Sequence, residues 1–429
     1  MRPAAALVVS VMICGCAASQ KSAAPPDQPY EVVDRLGTVL SIVERAHVDP
    51  VDRGRLIEGA TAGMVDGLDA HSEYLSPEQY AQFLDDTEGK FGGVGVEVDF
   101  RDDEVTIVST LPGTPAERAG LQSGDRIVAL DSMPLAGMSA EQIVQSMRGP
   151  VGTRVRLTVR RDQLPEPFSV VLVRQVVSIR SVEGRRLDRD VGYVRIHLFQ
   201  DGTHHEFLET LAKLSSQGLL RGLLLDLRGN PGGLVEEAIQ IADELLPEGL
   251  LYTARHRGQV VEVVRTKNGD VLEKTPLVVL VDAGTASSAE IVAAAVKDRG
   301  RGLLVGSRTF GKGSVQNIID LPGGAGMLLT TLRYFTPSGR TIQARGLSPN
   351  VEVDSQRDAD ATREADLEGH LSADDGGGEE PAASSPEAAN SDSATPADER
   401  APLDTLAADP SNGPDPVLSV AYRRLVEKL

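Results

Sequence analysis

The sequence predicts an α/β fold, and three observations carry that expectation. Near-continuous apolar runs, "GLLLDLR" at 222–228 and "PLVVLVD" at 276–282, have the pattern of strands buried on both faces. Each is followed by an amphipathic stretch, "LVEEAIQIADELL" and "SAEIVAAAVKDRG", so strands alternate with helices between 166 and 353. Ahead of that block, residues 91–160 alternate with period two around one helical segment, as in a smaller unit made mostly of strands.

The elements follow in order. "MRPAAALVVSVMICGC" has an apolar run from Ala4 to Ile13, shorter than the roughly 20 residues that span a bilayer. It suits the h-region of an export signal. Ile13-Cys14-Gly15-Cys16 resembles a bacterial lipobox, which implies a signal peptide over 1–15 and a lipid on Cys16. Residues 16–29 then read as a tether, and the expected location is the periplasm or cell envelope, with the chain held to a membrane by that lipid. Both cysteines lie in this leader, which leaves the mature chain without disulfides, a cysteine nucleophile or a cysteine metal site.

Residues 30–89 are expected to be helical. Val32, Val33, Leu36, Val39, Leu40 and Val43 recur at helical spacing, "GRLIEGATAGMVDGL" does so more weakly, and Ser76-Pro77 marks a helix start. From Phe91, "GGVGVEVDF", "EVTIVSTL" and "RVRLTVRRD" read as strands, and Ala140, Ile143, Val144 and Met147 share one face of a helix. The net charge of −20 is mostly local: between Asp354 and Asp415 there are 17 acidic residues against 3 basic ones. That stretch is also rich in Ala, Ser, Gly and Pro, so 354–414 is expected to be disordered. The remainder is mildly acidic and has no basic patch with interleaved aromatics, which argues against nucleic acid as a partner. From Asp415, an N-cap followed by Pro416, a last helix places Leu418, Ala421, Tyr422, Leu425 and Leu429 on one face.

"GSRTFGKGSVQ", residues 306–316, matches a phosphate-binding loop up to Lys312. Gly313 then stands where that loop needs a Ser or Thr for magnesium, and β-like sequence follows where it needs a helix. Lys312 therefore has another task. Upstream, "AGTASSAE" at 283–290 delivers Ser287 to a helix start, beside free amides and the positive end of the helix dipole. Ser287 and Glu290 also fit an S-x-x-E capping box, so local sequence alone leaves both roles open. No G-x-S-x-G elbow occurs, and none of the seven histidines stands in a triad context. His204-His205-Glu206 lacks the second histidine of a zinc motif, since Glu209 occupies its place. A base other than histidine is thus required if Ser287 is a nucleophile, and a buried lysine can serve. Lowering a lysine by about 3 units from about 10.4 costs roughly 4 kcal/mol, so only a packed site would do it.

Two resemblances gather these features. "GGVGV" (92–96), "PGTPAERAGLQSGDRIVALD" (112–131) and the helix from Ser139 resemble a PDZ domain, bounded here at 90–165. That resemblance implies that Gly92, Gly93, Val94, Gly95 and Val96 bind a peptide C-terminus, with the peptide adding as a strand. "LDLRGNPGG", "DAGTASSAEIVAAAVKDRGRGLLVGSRTFGKGSVQ" and "TTLRYFTPSGRTIQARGLSPNVEV" resemble the carboxyl-terminal processing proteases, the tail-specific serine peptidases of family S41. Over about 30–353 this implies a ClpP/crotonase-like protease core at 166–353, with an inserted PDZ domain and N-terminal helices. It implies Ser287 as nucleophile, Lys312 as general base and Gln316 as the side chain that orients the lysine. The interval of 25 residues between Ser287 and Lys312 agrees with the family. The oxyanion donors would be the amides of Ser288 and of Gly232 or Gly233. Ser288-Ala289 replaces the family's commoner Ala-Ser before Glu290, and Gly229 stands where Asn is commoner. Substrates would be proteins with exposed C-termini, no metal or organic cofactor is expected, and the N-terminal helices could pair two copies into a homodimer. Two rivals are a PDZ-bearing periplasmic adaptor that no longer cuts, and a histidine-dependent PDZ protease of the HtrA type. The latter needs a serine where "RGNPGG" has Pro231.

Overall fold

The computed structural model describes residues 29–353, apart from 88, 102–103, 136, 179, 268, 270–271 and 273–274, together with 361–373 and 403–429. The leader with Cys16 and all but the last residue of the tether lie outside the described residues. The chain divides into two compact units, one ending at Thr61 and the other beginning at Ala62. Helix α1 (Pro29–Ala46) and most of α2 (Arg53–Asp66) belong to the first. The apolar residues of α1 that set its helical period, Val33, Leu36 and Val39 among them, are exposed. No helix among the described residues is long and apolar enough to cross a membrane.

The second unit opens with a short strand, Glu73–Leu75, and α3 (Pro77–Thr87). Ser76 caps α3 as its sequence predicts, accepting from the Gln79 N–H at 3.3 Å while its own N–H is taken by the Gln79 side chain. The strand-rich unit follows. Its sheet runs in the order 96–101, 104–110, 126–130, 154–160 and 168–173, so strand Val96–Arg101 has one edge unpaired within the sheet. The single-turn α4 (Pro115–Arg118) and α5 (Ala140–Met147) complete this unit. Ile143 and Met147 enter one core with Val155, Leu157 and Val159, as the two sequence periods require.

The larger block is a mixed sheet in the order 182–187, 191–196, 222–226, 277–281, 303–306 and 351–352. Its first pair is antiparallel and the others are parallel. Strands 222–226 and 277–281 are buried throughout, because both of their faces are covered. On one face Leu223, Leu225, Val279 and Val281 pack with α6 (Thr203–Ser215), α7 (Val235–Leu245) and α8 (Ser288–Asp298). On the other, Leu224, Val278 and Leu280 meet Leu418, Ala421, Tyr422 and Leu425 of α9 (Pro416–Val426). Asp415 caps α9, accepting from the Leu418 N–H at 3.0 Å. A second sheet joins 73–75, 326–335, 249–256 and 259–266, and strand 314–320 pairs with 326–335.

Most of the acidic stretch, 354–360 and 374–402, lies outside the described residues, while two pieces of it are placed against the folded unit. Residues 361–373 dock with Glu364 fully buried, and Leu403, Leu406 and Pro410 pack before α9. Average composition weighs against order there, but a few leucines and one paired carboxylate suffice to pin short pieces. The histidines of the zinc-like trio go elsewhere: His204 pairs with Glu244 at 2.9 Å, His205 with Glu209 at 3.2 Å, and Glu206 accepts from the Ser181 N–H.

Candidate active site

The loop after strand 277–281 is tied to the loop after 222–226, and the tie shapes Ser287. The Thr285 hydroxyl donates to the Leu227 carbonyl at 2.9 Å, and the Ala286 N–H donates to the Asn230 carbonyl at 2.9 Å. Asp282 accepts from the Gly229 N–H at 2.7 Å. Gly229 has φ of 65°, a left-handed position that favours glycine and that Asn also tolerates. Ser287 then turns into α8 with φ of 53° and ψ of −122°, a conformation that a residue with a side chain holds only under constraint. A strained strand-to-helix elbow of this kind can present a side chain at a helix start, and here it is built without flanking glycines. The missing space comes from another loop. A Cβ added to Gly232 would lie 2.8 Å from the Ser287 Cβ. Ser287 is partly exposed, whereas Ser288 is fully buried and its hydroxyl has no partner among the described residues.

The glycines around Lys312, including the two that mimic a phosphate loop, prove to be steric. A Cβ on Gly306 would lie 1.9 Å from the Val281 carbonyl oxygen, one on Gly311 2.8 Å from the Gly346 nitrogen, and one on Gly313 2.8 Å from the Gln343 nitrogen. They let the backbone on either side of Lys312 run close against neighbouring chain. Strand 314–320 follows, and no helix. Burial pulls the Lys312 ammonium below the usual lysine value, opposed by the negative charges of Glu364, Asp69 and Glu290.

Glu290 joins the two loops. As the capping box predicts, it accepts from the Ser287 N–H, at 3.0 Å. The same oxygen accepts from the Lys312 N–H at 2.9 Å, and the other takes the Gly311 N–H at 2.9 Å and the Thr309 hydroxyl. The Thr309 oxygen itself receives the Leu347 N–H, so its proton is directed to Glu290. Burial pushes this carboxyl up to about 8, opposed by the three backbone N–H donors and the Thr309 hydroxyl that hold its oxygens. From the opposite side the Tyr334 hydroxyl meets the carbonyls of Lys312 at 2.7 Å and Ser287 at 3.0 Å. Burial raises the Tyr334 phenol well above its ordinary value and keeps it a donor.

The predicted oxyanion donors separate. The Gly232 N–H is already given to the Asn230 side chain at 2.9 Å, so Gly232 supplies room and not a donor. The N–H groups of Gly233 and Ser288 have no partner among the described residues, and Ser288 opens α8, where the helix dipole favours negative charge. Behind this loop Arg228 is buried against Asp226 at 2.7 Å and reaches Asp415, the α9 cap, at 2.9 Å. The neighbouring guanidinium holds the Asp226 carboxyl well below the usual carboxylate range despite its burial.

Residues 190–353 match the model of peptidase family S41, and residues 106–161 match a PDZ domain model. A carboxy-terminal-processing protease of Bartonella bacilliformis is 36% identical over 353 residues, which cover 80% of this chain and 81% of that protein. The chain belongs to peptidase family S41. The carboxy-terminal processing protease CtpA of Bacillus subtilis is 32% identical over 337 residues, covering 78% of this S41 chain and 71% of CtpA. Among solved structures, a photosystem II D1 C-terminal processing protease shares 32% identity with a TM-score of 0.48, covering 74% of this chain and 92% of that one. This S41 chain is thus a serine-type peptidase with a PDZ domain.

Two predicted parts of the S41 site differ from their expected contacts. The Gln316 amide donates to the hydroxyls of Ser314 and Thr330, both at 3.1 Å, and makes no hydrogen bond to Lys312 among the described residues. Thr330 in turn donates to Asp69 at 2.9 Å. In the PDZ domain, Gly92 and Gly93 lie in a strand paired with 175–178 and not in a free loop. A Cβ on Gly92 would lie 2.0 Å from the Gly149 carbonyl oxygen, so this glycine answers a close approach. The N–H groups left without partners among the described residues are those of Val94 and Gly95, just before the edge strand that Val96 begins. Sequence reasoning missed Asp69, Tyr334 and Glu364, and gave Glu290 only a local role. The signal was faint: "LDAHS" and "READL" carry charge beside apolar residues, without a period to mark them.

Proposed function

We propose that this S41 peptidase is exported, recognises protein C-terminal tails through its PDZ domain, and cleaves peptide bonds with Ser287 as nucleophile and Lys312 as general base. The observation that carries the reading is the single Glu290 oxygen that holds the Ser287 and Lys312 backbones together. The neutral Lys312 amine takes the proton from the Ser287 hydroxyl as its oxygen attacks the scissile carbonyl carbon. The carbonyl oxygen becomes an oxyanion, stabilised by the Ser288 and Gly233 N–H groups. As the C–N bond breaks, the Lys312 ammonium returns its proton to the departing amine. A water deprotonated by Lys312 then attacks the acyl carbon, and as the C–O bond to Ser287 breaks the ammonium gives its proton to the Ser287 oxygen while the free carboxylate product leaves. Gln316 would accept from the lysine once its amide turns from its present hydrogen bonds.

Cleavage of an unstructured protein by the chain lacking residues 1–16 tests this, with Ser287→Ala, Ser288→Ala and Lys312→Ala alongside. Only Ser288→Ala should keep activity. The other two should lose on the order of 10⁴-fold or more in kcat, as members of a catalytic unit do. Activity in Lys312→Ala would refute the base. Export with a lipid on Cys16 belongs to the same reading; fatty-acid labelling that persists in Cys16→Ala would exclude that residue, and a full chain that takes no label would exclude the anchor. Pairing of two copies through the exposed apolar face of α1 completes it, and a monomer in light scattering would dismiss that part.

A further inference from the structure

Residues 361–373, although they lie beyond the core in a stretch of acidic composition, return to the loop that carries Lys312. The Glu364 N–H donates to the Phe310 carbonyl at 3.2 Å, two residues before the lysine. The Arg363 guanidinium donates to the Thr309 carbonyl at 3.0 Å. On the far side of the lysine, the Gly313 N–H donates to the buried Gln343 side chain at 2.9 Å. The Gln343 amide in turn donates to Glu364 at 2.6 Å and to the Leu371 carbonyl at 3.1 Å. The Glu364 carboxylate is fully buried, and its second oxygen lies 2.7 Å from His71 Nε2. Its backbone and its carboxylate therefore bracket Lys312 from both directions along the chain.

We propose that Glu364 is a positioning residue for the base, setting the charge environment of Lys312 and making residues 361–373 part of the catalytic unit. The proposal rests on the reading of Lys312 as general base. A carboxylate in a site closed to water acts on a nearby ammonium with little screening, and of the three that act on Lys312, Glu364 has the largest effect. The others are Asp69, from the loop ahead of strand 73–75, and Glu290 of α8. Tyr334 faces the Lys312 carbonyl, while His71 and Arg363 are the cationic or titratable neighbours of Glu364 and its loop. Without Glu364, burial would act on the lysine less opposed: it would be neutral at lower pH and a weaker base when neutral.

The test reads Lys312 directly. In the full chain in detergent, carrying Ser287→Ala and ¹³C-labelled lysine, the side-chain resonance of Lys312, assigned by its loss in Lys312→Met, is titrated with and without Glu364→Gln. Removing the charge should lower the midpoint by roughly one unit or more. In the active chain, the acid limb of kcat/KM should move the same way, and Glu364→Asp should restore most of the original limb. An unmoved midpoint in a folded Glu364→Gln, with only a lower Tm, overturns the proposal and leaves Glu364 as a plain anchor. A midpoint that moves while the limb stays put supports the electrostatic role and instead overturns Lys312 as base. Should Glu364→Gln fail to fold, Glu364→Met, which removes the charge at similar volume, must lower the midpoint likewise, and an unchanged midpoint refutes the proposal.

Discussion

The N–H groups of Ser287 and Lys312 donate to one oxygen atom, Oε2 of Glu290, at 3.0 and 2.9 Å. A serine and a lysine from different loops are thereby aligned through their backbones, independently of where their side chains swing. The Tyr334 hydroxyl repeats the arrangement on their carbonyls.

Glu290→Gln tests that clamp. A carboxamide offers one acceptor and one donor, so its NH₂ group confronts either the Ser287 and Lys312 N–H groups or the Gly311 N–H, where the Thr309 hydroxyl can turn to accept. The expected result is a stability loss of about 1–3 kcal/mol, from at least one broken charge-assisted hydrogen bond, and a kcat lowered at least tenfold with KM little changed. Urea denaturation and steady-state kinetics measure both. A variant with normal stability would mean that the carboxyl is protonated in the native enzyme.

Gly232→Ala should fold and fail to cut. The new Cβ meets Ser287 at 2.8 Å, and φ of 101° strains any residue with a side chain. Because the clash is with the elbow itself, kcat should drop on the order of 100-fold or more, the scale on which small misplacements act. Gly233→Ala would instead strike the Phe199 carbonyl oxygen at 2.1 Å, and by displacing an oxyanion donor as well as the backbone should lower both Tm and kcat. Full activity in Gly232→Ala would sink the steric account of the elbow.

Burial lowers the Lys312 ammonium below its usual value of about 10.4, so kcat/KM should rise with pH as this group loses its proton, with a midpoint below that value. Between its folded and unfolded midpoints Lys312 binds fewer protons when folded. Its contribution to stability therefore rises with pH across that window. Lys312→Met removes this dependence, and should be more stable than the parent at neutral pH with the gap closing as pH approaches about 10.4. Thermal melts from pH 6 to 10 would show it, and parallel curves would contradict it.

Asp415→Ala removes both the α9 cap and one partner of the buried Arg228. The cap alone is worth about 1 kcal/mol. A larger measured loss, on the order of 2–3 kcal/mol, would include the guanidinium left short of a partner. If stability falls and activity at low temperature is unchanged, Arg228 keeps the 229–233 loop in place through Asp226 alone.

Much of this protein was legible in its residues, since the relevant signals are local. Continuous apolar runs marked strands 222–226 and 277–281, capping residues marked the starts of α3 and α9, one apolar face marked α5, and the motifs around Ser287 and Lys312, with their spacing, carried the family resemblance. Such features depend on propensity and period, which neighbouring residues set among themselves. Tertiary structure decided the rest. It left Ser287 partly exposed and buried Ser288, gave the Gly232 N–H to Asn230, turned the glycines around Lys312 into contact points, and brought Asp69 and Glu364 to the lysine from distant parts of the second unit. Each of those outcomes rests on which atoms meet across loops distant in sequence, and a hydrogen bond or clash between distant residues leaves no period in the chain for a reader to find.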